Sequence, residues 1–218
     1  MTVNATRTNG RSSPRKTCAH PGNEQGFSLL EMMVTIALIL VVTGISFMSL
    51  QPALRQQHLT TAYNGTLTTI RRARDQAAAD MRVYVVTFTA PGTITVTQNS
   101  TTGPILITTV LPPDVSFNIV SGVPTSPTVA PTTPDGFGTA ANPIDFDQGV
   151  GAGGAISLYF QPDGTAVDIN GNINNGVVYM ARPTELMSSR AITVWGTTGR
   201  IRGWTLVKNG SGVMWRQQ

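Results

Sequence analysis

The stretch Gly26–Leu50, "GFSLLEMMVTIALILVVTGISFMSL", decides how the chain is organised. From Met32 to Leu50 it contains no charged residue. A run of about 19 residues rises roughly 28 Å as an α-helix, which is close to the thickness of the hydrocarbon core of a bilayer. The run therefore predicts a membrane-spanning helix or a signal anchor.

Glu31 is the one acid inside this apolar stretch. An isolated charge in apolar surroundings costs on the order of 2.5–3.5 kcal/mol on insertion scales, and less near the interface. A positively charged partner is therefore expected. Cleavage between Gly26 and Phe27 would create one, because the new α-amino group of Phe27 lies one helical turn from Glu31. The partner amine belongs either to the same chain or to a neighbour in an assembly.

The pattern of Gly26, Phe27 and Glu31 before an apolar helix resembles the prepilin signature. That resemblance implies that prepilin peptidase cuts after Gly26 and methylates the amine of Phe27, and that Glu31 guides docking of the subunit into a growing fibre. The implied partners are prepilin peptidase, other major and minor pilins or pseudopilins, and the inner membrane. The implied location is the bacterial inner membrane, crossed once, with a periplasmic head.

The domain organisation follows from these features. Residues 1–26 are basic and polar and are interpreted as a cytoplasmic leader that is cleaved off. Residues 27–50 form the transmembrane and assembly helix. Residues 51–82 continue it as an amphipathic helix, because apolar residues recur at spacings of three and four. That apolar stripe consists of Leu59, Tyr63, Leu67, Ile70, Ala73, Ala77 and Met81.

Residues 83–218 are expected to form a β-rich head. β-branched segments alternate there with Pro, Gly and Asn, and "QPDGT" (161–165) predicts a hairpin turn. The segment "VSFNIV" (115–120) is interpreted as one of the strands. A long Pro-, Thr- and Gly-rich loop is placed at about 121–154. A long helix followed by an antiparallel sheet is an α+β, pilin-like fold.

The C-terminal part is similar to the GspH/FimT minor pseudopilins in two segments, "LYFQPDGTAVD" (158–168) and "RAITVWGTTGRIRGW" (190–204). This resemblance implies a minor pseudopilin that helps to start or tip a type II secretion pseudopilus or a type IV pilus. In some FimT-like proteins a Gly-Arg-x-Arg segment is associated with DNA binding during uptake, and Arg200 and Arg202 match it. DNA is therefore an alternative partner.

The charges of the head favour the same alternative. No Lys or Arg occurs between Val83 and Ala181, whereas the segment from Arg182 onward is basic. Alternation along a strand places Arg200, Arg202 and Trp204 on one face, where they are suited to phosphates and a stacked base. The commoner reading of such arginines is a solvated face whose charges pair with acids elsewhere in the head.

Catalysis is poorly supported, and we expect no enzyme, no cofactor and no metal. After cleavage the chain keeps His58 as its one histidine and has no cysteine, which leaves a nucleophile–base pair hard to assemble. "DINGNIN" (168–174) places oxygen side chains at alternate positions, as calcium loops do, but it lacks the glycine and glutamate positions of an EF-hand and reads as a turn. Asp145 and Asp147 are interpreted as a solvated strand end.

Overall fold

The structure is a computed structural model that describes residues 26–148 and 156–218. Its contacts divide the chain into two units, one ending at Met48 and the other comprising Ser49–Gln218. Residues 1–25 of the expected leader and residues 149–155 of the expected loop lie outside the described residues. The observed order, a long helix followed by antiparallel sheets, confirms the α+β class.

The helix α1 comprises Leu29–Asp80 and includes Pro52. Its bounds differ by two residues at each end from the expected helical residues 27–82, which is an ordinary difference at helix ends. Met81 was wrongly assigned to the apolar stripe. It follows the helix with a φ of 52° and is 76% exposed. The rest of the stripe is confirmed, because Leu59, Tyr63, Ile70 and the two alanines are buried and Leu67 packs against the same core.

In the part of the chain that the structure describes, ten strands build two five-stranded antiparallel sheets, where a single sheet was expected. Sheet 1 has the order β3-β2-β1-β5-β6, and sheet 2 has the order β10-β9-β8-β7-β4. The strands are β1 Tyr84–Thr89, β2 Thr93–Gln98, β3 Ile105–Val110, β4 Ile144–Gln148, β5 Ser157–Phe160, β6 Ala166–Val167, β7 Asn175–Met180, β8 Arg190–Trp195, β9 Arg200–Asn209 and β10 Gly212–Gln217. Two short 3₁₀ turns, Pro134–Gly136 and Leu186–Ser188, complete the head.

Sheet 2 separates two apolar clusters. On one face Val178, Met180 and Ile192 share the main core with the buried side of α1 and the inner face of sheet 1. On the other face the side chains alternate into a second cluster, in which Tyr179 packs with Val123 and Phe137. Residues 121–148, the described part of the segment expected as a loop, therefore cover one face of sheet 2 in part and supply residues to a core.

Three expectations about the head are corrected. "VSFNIV" is not a strand and contributes one isolated bridge, Ser116 to Ala181. Strand β4 lies inside the expected loop and pairs with β7. Asp145 in β4 is 5% exposed, so it is not part of a solvated strand end. The "QPDGT" hairpin is confirmed: Gly164 has a φ of +82° and donates its N–H to the carbonyl of Gln161 at 2.9 Å.

Candidate functional site

The peptide bond between Gly26 and Phe27 lies ahead of the helix. Both residues are exposed, and Phe27 is 72% exposed. The first helical hydrogen bond described runs from the N–H of Met32 to the carbonyl of Ser28, at 3.1 Å. The bond lies outside the helix, and a Cβ added at Gly26 would meet no atom of the described residues within 4 Å, as expected for a site of proteolysis.

Glu31 lies in the first turn of α1 and is exposed. The unpaired N–H groups at a helix start give that end a partial positive charge, which favours a carboxylate there. The predicted partner, the Phe27 amine, would precede the helix by two residues, because the helix begins at Leu29. Glu31 is thus the single charged side chain between Gly26 and Leu50, and it lies at the end where a new amine would form.

The apolar part of the helix is exposed among the residues that the structure describes. The most apolar 18-residue window of α1 has a mean hydropathy of 2.4 and is 0% buried, which makes α1 a candidate membrane span. Its hydroxyl groups are satisfied by the helix itself. Thr35 donates to the carbonyl of Met32 at 2.9 Å, Thr43 to that of Ile39 at 2.6 Å, and Ser46 to that of Val42 at 2.8 Å. The side chains therefore present an apolar surface with Glu31 at one end.

The comparison with known families bears on this segment. The model described as the prokaryotic N-terminal methylation motif matches residues 21–47. The motif supports a type IV pilin-like protein. It implies processing by prepilin peptidase and assembly with other pilins, and the apolar helix that follows is consistent with membrane anchoring. No curated protein and no solved structure matches the chain. The GspH/FimT resemblance of the C-terminal part stays a prediction.

The second candidate site is the basic strand β9. The alternation expected for Arg200, Arg202 and Trp204 is consistent with the register: Arg202 pairs with Thr193 and Trp204 with Ala191 on β8. This face carries the second apolar cluster, in which Ala191 packs and on which Trp204 lies. The face that was expected to meet DNA is therefore covered in part by the segment that contains Phe137.

Asp135 is the residue that the sequence analysis missed. Its side chain is 4% exposed, and it forms an ion pair with Arg202, whose side chain is 22% exposed. It also accepts a hydrogen bond from the hydroxyl of Thr193. The indole N–H of Trp204 donates to the same hydroxyl at 3.0 Å. Arg202, Asp135, Thr193 and Trp204 are therefore joined in one series of polar contacts. The commoner expectation, that these arginines pair with acids elsewhere in the head, is thus met at Arg202.

The backbone at Asp135 is unusual. Its φ of 53° and ψ of 12° lie in the left-handed region, which aspartate tolerates better than most residues. Nearby, the rings of Phe137 and Trp195 lie 4.9 Å apart, and the Arg202 guanidinium lies 5.9 Å from the centre of the Trp195 ring. Arg200 differs from Arg202: it is exposed, and it has no ion pair among the described residues.

At two positions of the Gly-Arg-x-Arg-Gly-Trp stretch, close packing leaves no room for a side chain. Gly199 has a φ of +57°, and a Cβ there would lie 1.9 Å from the carbonyl oxygen of Gly164. Gly203 faces α1, where a Cβ would lie 1.6 Å from the hydroxyl oxygen of Tyr63. The glycine pattern therefore follows from packing against the hairpin and the helix, whatever the arginines bind.

The remaining candidates for chemistry are sparse. His58 Nδ1 lies 2.8 Å from Asp114 Oδ1, beside a cavity of about 530 Å³ that Arg55 and Arg182 also line. Within residues 26–148 and 156–218, no three His, Cys, Asp or Glu side chains gather where a metal would bind. The absence of an enzymatic activity stays a prediction.

The "DINGNIN" segment forms a turn held by its own carboxylate. Asp168 Oδ1 accepts the backbone N–H groups of Asn170 and Asn172, each at 2.8 Å. Its Oδ2 accepts the side-chain amide of Asn172 at 3.1 Å. Partial burial raises the pKa of Asp168, but these hydrogen bonds lower it by more, so the net shift is downward. Both oxygens are thus used inside the turn.

Proposed function

We propose that the chain is a minor pilin or pseudopilin, a structural subunit that leaves the inner membrane to join a fibre. The observation that carries the proposal is the methylation motif at residues 21–47. It is supported by the exposed Gly26–Phe27 bond and by an apolar helix with a single acid near its start. A helix of this kind finds apolar surroundings either in lipid or among the helices of a fibre core.

Glu31 sets the register of assembly in this proposal. After cleavage its carboxylate pairs with the α-amino group of Phe27, in its own chain or in the neighbouring subunit. Removing both charges from water costs about as much as their attraction returns unless the geometry is good. The pair therefore acts mainly by selecting one axial position of the helix among its neighbours. The fibre is a type II secretion pseudopilus or a type IV pilus, and the subunit helps to start or tip it.

The test replaces Glu31 by alanine in the full-length chain. We expect Glu31→Ala to insert and to be cut after Gly26, because neither step needs the acid, and to be lost from sheared fibres. N-terminal mass spectrometry reports cleavage and methylation, and immunoblotting of the fibre fraction reports assembly.

Ser28→Ala, three residues earlier and without a change of charge, is the matched control and should assemble. A Glu31→Ala chain that enters fibres at the normal level would remove the role given to the acid. A mature protein that retains the residues before Phe27 would contradict processing at this site.

The alternative is a DNA-binding minor pilin that uses Arg200, Arg202 and Trp204. The exposed Arg200 supports it, whereas the ion pair of Arg202 with Asp135 opposes it. If DNA binds here, Arg200→Ala should weaken salt-sensitive binding more than Arg202→Ala does, because Arg200, unlike Arg202, has no ion pair among the described residues. Filter binding at two salt concentrations measures this, and equal binding by all variants would remove the motif from consideration.

A further inference from the structure

The two sheets have four edge strands, β3 and β6 in sheet 1 and β4 and β10 in sheet 2. An edge strand offers unpaired N–H and C=O groups to any other extended chain, and proteins usually protect such edges. Strand β6 has only two residues. Strand β4 has an irregular ladder with β7 and contains Asp145. Strand β10 contains Arg216, and a cavity beside it is also lined by Pro131.

Strand β3 lacks most of these protections. Its sequence, "ILITTV", contains no charge and no proline. Its pairing with β2 is irregular at Leu106, but Ile107–Val110 pair regularly with β2. Ile105 is 65% exposed and Val110 is 69% exposed. This edge is therefore apolar, regular over most of its length and open among the described residues.

The orientation of β3 follows from its contacts. Leu111, which follows β3, donates its N–H to the carbonyl of Gly92, the residue before β2, at 2.8 Å. The N–H of Leu111 therefore faces β2. Because hydrogen bonding alternates along an antiparallel strand, the backbone groups of Thr109 also face β2, and those of Thr108 and Val110 face outward. The hydroxyl of Thr109 lies 2.9 Å from that of Thr69 on α1, which fixes the face of β3 that meets the helix.

A polar groove lies beside this edge. It is a cavity of about 530 Å³ between α1 and β3, and its lining includes Thr60, Asn64, Thr68, Arg72 and Ile107. Arg72 is the one charged residue of the lining, and it has no ion pair among the described residues. A strand added to β3 would direct alternate side chains toward this groove. The groove therefore complements one carboxylate, which would pair with Arg72.

We propose that β3 and this groove bind an extended strand of another protein that presents Asp or Glu to Arg72. Main-chain hydrogen bonds to Thr108 and Val110 supply the affinity, and the groove selects the side chains. A second copy of β3 does not provide the complementary charge, because β3 contains no carboxylate. The proposal concerns the head alone and does not depend on the assembly role of Glu31.

The experiment uses the full-length chain in detergent and a labelled eight-residue probe peptide of alternating Val and Thr with one Thr replaced by Glu. Fluorescence anisotropy measures binding, and hydrogen exchange reports whether the amides of Thr108 and Val110 become protected. A peptide with Lys in place of Glu should bind about threefold more weakly, because an exposed ion pair is a small effect. A peptide with methylated backbone nitrogens should not bind, since it has no amide N–H to donate.

Val110→Lys should weaken binding about tenfold or more, because a charge on an edge strand is a natural barrier to strand addition. Val129→Lys makes the same change at a valine that is 68% exposed, against 69% for Val110, and should bind normally. Equal binding by the two variants, or no binding to the unmodified chain at millimolar peptide, would overturn the proposal. Self-association that Val110→Lys alone abolishes would assign the edge to a second copy and would also overturn it.

Discussion

The apolar side chains of helix α1 are exposed in the earlier part of the helix and mostly buried in the later part. From Leu29 to Phe47 every side chain is exposed, whereas Leu59, Ile70 and Ala73 are at most 1% exposed. Both parts are helical and both are rich in apolar residues, so the difference lies in what covers them. The head covers the later part itself. Within residues 26–148 and 156–218 nothing covers the earlier part, and its exposed apolar surface is consistent with membrane anchoring.

The largest expected effect comes from making one substitution in each part. Ile70→Ala should cost about 2–5 kcal/mol of the free energy of unfolding of the head, because it leaves a cavity in the core. Ile39→Ala, at a side chain that is 63% exposed, should leave that free energy within about 0.5 kcal/mol. Urea unfolding of the full-length chain in detergent, followed by the fluorescence of Trp195, Trp204 and Trp215, measures both. Equal losses of the free energy of unfolding for the two variants would contradict the difference in burial between the two parts of the helix.

A smaller effect is expected where the later part of α1 touches β9. Gly203→Ala should cost about 1–3 kcal/mol, because the new methyl group overlaps the hydroxyl of Tyr63. On a Tyr63→Phe background the same change should cost less, since the nearest atom is gone. Thermal unfolding of the two single variants and of the double variant measures the cost of Gly203→Ala on each background. Gly212→Ala, whose Cβ would have its nearest neighbour at 3.8 Å, is the control. Equal costs on both backgrounds would show that the hydroxyl of Tyr63 is not the obstacle.

Much of the fold could be predicted because its signals are local. The span follows from the length of an uncharged run, the buried stripe from its spacing, and the hairpin at 161–165 from its turn residues. The missed strand β4 has the sequence "IDFDQ", in which acids alternate with apolar residues inside a segment of prolines and glycines. Local propensity does not show that such a strand pairs with β7. Nor does it show that the β-branched residues of 115–120 leave the sheet.

The candidate site divides in the same way. Gly26, Phe27 and Glu31 were found because their spacing along the chain is the signal. The bond between Asp135 and Arg202 joins residues 67 positions apart, and no spacing rule reaches that far. The one hint was the contrast between a head segment with acids but no basic residues and a basic C-terminal segment. It indicated that such pairs exist, but not which residues form them.

The hydrogen bonds of the Thr35, Thr43 and Ser46 hydroxyl groups affect how easily the helix could pass from one apolar environment to another. Each is bonded to a carbonyl of its own helix, so none of these bonds depends on a lipid, a water molecule or a neighbouring helix. A helix that carries its polar bonds with it loses none of them when it passes from one apolar environment to another. Glu31 is the one charged side chain between Gly26 and Leu50, so it is the group whose charge such a transfer would have to accommodate.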